Sequence, residues 1–253
     1  LQSKSLFELF PSEFTESKKN MLINGLVWMG EEQFMKTQIE EKLAQGFSCI
    51  KLKIGAIDFE KELGLLRFIR QNFDAKTIEI RVDANGAFAS NEALSKLNQL
   101  HEFELHSIEQ PIKANQIQEM KLLCQQTPFP IALDEELIGV FGIEKKRKLL
   151  EEIQPQYIIL KPSLVGGFKG TLEWISIAES LNIGWWITSA LESNIGLNAI
   201  TQFTFTLNNP MPQGLGTGGL YTNNFDCPLE IENGHIQYNV TKKWDISNLG
   251  ISI

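Results

Sequence analysis

The 253-residue chain has little of what builds covalent or soft-metal frameworks. Its three cysteines, Cys49, Cys124 and Cys227, lie far apart and form no C-x-x-C pair, which argues against both a disulfide scaffold and a thiolate metal site. Read as reduced, buried thiols, they fit a cytoplasmic protein. Histidine is equally scarce, at three residues. No run of 18 apolar residues occurs and no charged n-region precedes an apolar h-region, so neither a membrane span nor a signal peptide is expected. Positive charge is short as well: 23 basic against 31 acidic residues give a net charge of −8, which disfavours nucleic acid or an anionic membrane as partner.

What is present is a repeated pattern. Ile78-Glu79-Ile80-Arg81-Val82-Asp83-Ala84-Asn85-Gly86 is a β-branched run that stops in an acid, an amide and a glycine, as expected of a strand buried on both faces of a parallel sheet. Apolar strands ending at once in an ionisable group recur at Lys53, Glu109, Asp134 and Lys161, so the five positions are separated by 30, 26, 25 and 27 residues. Each interval has room for one strand, one helix and two short loops. A single acid at a strand end can be an N-cap or loop carboxylate. Five at one period instead predict successive βα units presenting their groups at the strand end where (β/α)8 barrels build active sites, and the length suits one such barrel.

Helices are predicted at 31–45, 58–73, 90–103, 116–126, 144–153, 169–181 and 195–207, with Ser90 or Asn91 as a cap and Lys145-Lys146-Arg147-Lys148 as a solvated face. Asn24-Gly25 reads as a turn before a first strand at 26–29. Lys51 and Lys53, two residues apart, share one strand face, either in water at a sheet edge or in the barrel mouth. Gln213–Gly219 is expected to supply a short eighth strand, and 229–240 a hairpin about Asn233-Gly234. Asp83, Glu109 and Asp134 on consecutive strands would approach to about 5 Å. Three such carboxylates need a cation, and oxygen ligands without His or Cys point to a hard ion such as Mg²⁺. A metal-held substrate carboxylate flanked by lysines suits removal of the neighbouring proton through an enediolate.

The motifs KLK (51–53), VDANGA (82–87), IEQP (108–111), LDEE (133–136) and LKPS (160–163) resemble the barrel of the enolase superfamily, muconate-lactonising subgroup, over residues 24–219. The resemblance implies a TIM-type (β/α)7β barrel in which Asp83, Glu109 and Asp134 hold Mg²⁺, with Mn²⁺ as the alternative, and Lys53 and Lys161 form the acid/base pair. It also implies Lys51 as an accessory cation and Asn85 and Glu135 as partners of these groups. Lysine rather than histidine at 161 separates the chain from the mandelate-racemase subgroup, and none of His101, His106 or His235 falls at a strand end suited to catalysis. FPSEFT, INGLVWMG, TSALESNIG and GLGTGGLYTNN resemble the o-succinylbenzoate synthase family of the menaquinone pathway. That implies a lyase dehydrating 2-succinyl-6-hydroxy-2,4-cyclohexadiene-1-carboxylate, with Lys53 as base and then acid and Ser189, Ser193 and Gly216 near the succinyl and carboxylate groups.

The alternatives are an N-acylamino acid racemase or dipeptide epimerase on the same metal site, a Schiff-base aldolase using Lys161, and a non-catalytic binding barrel. Against the epimerase, Gly214–Gly219 lacks the Asp-x-Asp that would bind a substrate amine. Members of the superfamily carry an α+β capping domain before the barrel. Residues 1–23 are expected to be its remnant or linker, and 220–253 a segment packing toward it, so that the chain is a portion of a longer protein. The expected partner is a small-molecule carboxylate, with no choice made between monomer and homo-oligomer.

Overall fold

The computed structural model describes residues 7–247, so the outer ends of both flanking segments, 1–6 and 248–253, lie outside the described residues. Seven strands, β2 (Gly25–Val27), β3 (Cys49–Lys53), β4 (Glu79–Asp83), β5 (Ser107–Glu109), β6 (Ile131–Leu133), β7 (Tyr157–Leu160) and β8 (Gly184–Ile187), form one curled parallel sheet in sequence order. Between them run α1 (Glu32–Ala44), α2 (Phe59–Asn72), α3 (Ser90–Leu100), α4 (Ile117–Gln126), α5 (Ile143–Ile153) and α6 (Gly167–Ser180), and α7 (Asn194–Thr206) follows β8. Consecutive order with helical crossovers is the barrel topology that the repeated pattern predicts.

Closure of the ring differs from the expected strand at 213–219. Only Gln213 and Gly214 take part, bridging Ile23 on one edge and Thr188 on the other. Gly214 donates its N–H to Ile187 and accepts one from Ser189. A Cβ at Gly214 would lie 2.2 Å from Thr188 Oγ1, so the two edges meet because no side chain stands between them. Beyond Gly214 the chain leaves the sheet.

The strands are apolar because both faces are covered, while the helices bury one stripe. On α3 it is Ala93, Leu97 and Leu100, and on α5 Lys146, Leu150 and Ile153, both at i, i+4, i+7. Lys146 therefore departs from the solvated face expected of residues 145–148. The helical period turns it inward, where its ammonium donates to Gly170 O and Glu173 Oε2, both at 2.9 Å, and lies over the Trp174 ring. Two further expectations fail locally. Asn24-Gly25 leads directly into β2 rather than making a turn, since Gly25 lets Phe47 and Lys42 pack against the backbone. At α3 the N-cap position falls to Ala89 with no side-chain cap bond. A second sheet pairs β1 (Met21–Leu22) with the hairpin β9 (Leu229–Glu232) and β10 (His235–Tyr238), whose turn residues Asn233 and Gly234 both have positive φ.

Candidate active site

The register of the sheet collects the five ionisable strand ends. Lys53 pairs with Asp83, and Asp83 with Glu109. Glu109 pairs with Ala132, so Asp134, two residues on, shares its face. Asp83, Glu109 and Asp134 are all buried. Lys51 Nζ reaches both Asp83 Oδ2, at 2.8 Å, and Glu109 Oε2. Lys53 Nζ donates to Asp83 Oδ2 at 2.6 Å and to Asn85 Oδ1 at 2.7 Å. Asn85 passes the contact on through Nδ2 to Glu135 Oε1 at 2.8 Å. Lys161, on the far side of the row, pairs with Asp134. Three acids thus face three lysines, which answers the choice left open for Lys51 and Lys53: their face is the barrel mouth.

The charges perturb one another. Burial acts to raise the Asp83 pKa, but Lys51 and Lys53 together outweigh it and hold the carboxyl well below the usual range. Glu109 goes the opposite way: burial and its two carboxylate neighbours, Asp83 and Asp134, push it well above the ordinary value against the pull of Lys51 and Lys161. Burial works to lower Lys161, yet Asp134 and Glu109 leave it raised. Lys161 is therefore held as an ammonium among these ion pairs, because the carboxylates dominate.

Among the described residues, no three His, Cys, Asp or Glu side chains already enclose a point that could hold an ion; each of the three carboxylates is turned to a lysine. The donor set nevertheless fits a hard cation. Glu109 Oε1 is buried with no hydrogen-bond partner, in the middle of a row of three carboxylates. Oxygen donors of that charge are the ligands a divalent hard ion takes.

Above the row lies a cavity of about 250 Å³. Lys51, Lys53 and Lys161 line it, and no carboxylate does. Of the expected substrate contacts, Ser189 and Gly216 line the wall, and Ser189 Oγ shares a hydrogen with Thr217 Oγ1 at 2.6 Å. Ser193 is not on that wall; it occupies the N-cap position of α7, its carbonyl accepting from Leu197. Asn24, Leu26 and Trp28 form the opposite wall and were not anticipated. Their signal was the period of two in the first strand, with Leu26 pairing Lys51 and so facing the same interior.

Residues 35–242 match the family model described as Enolase C-terminal domain-like. An o-succinylbenzoate synthase of Desulfotalea psychrophila is 56% identical over 227 residues, which is 90% of this chain and 61% of that protein. An N-succinylamino acid racemase of Thermus thermophilus is 34% identical over 159 residues, 62% of this chain and 40% of that protein. The crystal structure of MenC from Desulfotalea psychrophila superimposes with a TM-score of 0.86 and 53% identity over 93% of this chain and 65% of its own. The chain thus spans under two thirds of the length of these relatives. Taken with the sheet order and the site at its strand ends, the match over residues 35–242 means that this chain belongs to the enolase C-terminal domain-like family.

Proposed function

We propose that the whole protein is an o-succinylbenzoate synthase, a hydro-lyase that dehydrates 2-succinyl-6-hydroxy-2,4-cyclohexadiene-1-carboxylate in menaquinone biosynthesis. The observation that carries the reading is the character of the cavity: three lysines and no carboxylate on its wall, above a row of three buried carboxylates. A substrate with two carboxylates and no amine suits such a wall, and an ammonium does not. The name of the 56% identical relative points the same way.

Asp83, Glu109 and Asp134 would hold Mg²⁺, with Mn²⁺ as the alternative. When bound there, the ion supplies compensation for the negative charge that builds on the substrate carboxylate as the adjacent C–H bond breaks. Lys53 takes that proton through Nζ and returns it to the hydroxyl leaving the neighbouring ring carbon. One group acting from one face makes the elimination syn. Asn85 keeps Lys53 aimed into the cavity. Lys161 remains an ammonium opposite it, and Lys51 offsets the acids beneath. Ser189, with Thr217 behind it, and the open backbone at Gly216 would receive the succinyl end.

A second reading, N-acylamino acid racemase, has one observation in its favour. Lys53 and Lys161 both reach the cavity from well-separated strands, as two opposed bases would. Assay of the whole protein with the cyclohexadiene substrate beside N-succinylamino acids and dipeptides decides between them. Dehydration lost in Lys53→Ala is expected; racemisation of N-succinylamino acids or epimerisation of dipeptides without dehydration would refute the synthase.

A further inference from the structure

Two residues of the IEQP and LDEE motifs have no part in the chemistry above: Gln110 and Glu136. Both are buried, and Gln110 is held at a φ of +39°, a left-handed conformation that costs a non-glycine residue on the order of 1 kcal/mol. Its side-chain amide is fully used. Nε2 donates to Ile112 O at 3.0 Å and to Glu136 Oε2 at 3.2 Å, while Oε1 accepts from the backbone N–H groups of Asp134, at 3.2 Å, and Glu136, at 3.3 Å. Glu136 Oε1 in turn accepts from Asn115 N at 2.8 Å.

The main chain of Gln110 completes the pattern. Its N–H donates to Ala132 O at 2.9 Å, and its carbonyl accepts from Gly86 N at 2.7 Å. One residue therefore touches the turn three residues past Asp83, directly follows Glu109, and holds the amide of Asp134. A core amide placed only for packing has no need to bind three strand ends that each carry an acid.

We propose that Gln110, braced by Glu136, is a positioning residue that sets the spacing of Asp83, Glu109 and Asp134 and thereby their affinity for a divalent cation. The inference rests on the reading of those three acids as the cation site. Groups that orient metal ligands typically change affinity by about 10–100-fold when removed.

Magnesium titration of the whole protein by calorimetry, without substrate, tests it. Gln110→Leu, which is neutral, is expected to weaken the Mg²⁺ Kd by about 10–100-fold. Glu136→Gln alone sets two amide donors against each other and should weaken binding too. If Gln110→Leu does not fold, Gln110→Asn, neutral and one methylene too short to span from Glu136 to the Asp134 amide, carries the test with the same expected loss. Variants with lower Tm but an Mg²⁺ Kd within about twofold of the unsubstituted protein overturn the inference and leave the function standing. If the unsubstituted protein binds no Mg²⁺, the reading of the site itself falls, and this inference with it.

Discussion

Replacing Lys51 with Met separates a cation site from a set of structural ion pairs. Lys51 is buried, and its ammonium bridges Asp83 and Glu109; methionine keeps much of the stem and removes the charge. Two adjacent buried carboxylates then lose their shared partner, and breaking a buried pair from one side costs about 3–5 kcal/mol. For a domain of this size each kcal/mol moves Tm by roughly 2–4 °C, so a fall of roughly 6–20 °C is expected in metal-free buffer. A cation held by the same acids would take over the neutralisation. Mg²⁺ at 100 times its Kd contributes about 2.7 kcal/mol to any protein that binds it when folded. The variant should gain more, because the ammonium no longer competes for Asp83 Oδ2 and Glu109 Oε2. Thermal melts of both proteins across an Mg²⁺ series read the difference. No Mg²⁺ shift in either protein would show that the acids do not form a metal site, and equal shifts would refute competition between Lys51 and the cation.

Lys161→Arg keeps the positive charge but not a group that can give up a proton at neutral pH; it should retain more dehydration than racemisation, and equal loss of both would undercut the one-base scheme. Gly214→Ala puts a Cβ 2.2 Å from Thr188 Oγ1 at the closing bridge, for which overpacking predicts a loss of about 1–3 kcal/mol by denaturant titration; an unchanged midpoint would mean the edges are not joined there. Glu62 Oε1 accepts the N–H groups of Gly55 and Ala56, while its Oε2 is buried without a partner, and burial raises its pKa above 4.5 despite those bonds. The folded state therefore binds the proton more tightly than the unfolded chain, so this residue's contribution to stability falls as pH rises above about 4.5. Glu62→Gln should flatten that part of the pH–stability curve, and an unaltered slope would refute the assignment.

The period of about 27 residues between Lys53, Asp83, Glu109, Asp134 and Lys161 is legible in the sequence, because a parallel barrel strand is buried on both faces and any charge must wait for its end. The same logic announced the helices and the Asn233-Gly234 hairpin. Other features were hidden because they depend on what lies opposite. Lys146 belongs to a run of four basic residues in sequence and to a buried stripe in space, and only the position of α6 supplies the Gly170 carbonyl and Glu173 that receive it. Ring closure by two residues likewise follows from the approach of Thr188 to Gly214.

By itself, then, the sequence determined the order of strands and the identity of the groups at their ends, since local periodicity and burial decide both. Tertiary structure decided which of those groups share protons and charge. The pairing of Lys51 with two acids, the opposite pKa shifts of Asp83 and Glu109, and the hold of Gln110 on three strand ends depend on the register between strands far apart in the chain. A one-residue change in that register would turn each side chain to the other face of its strand.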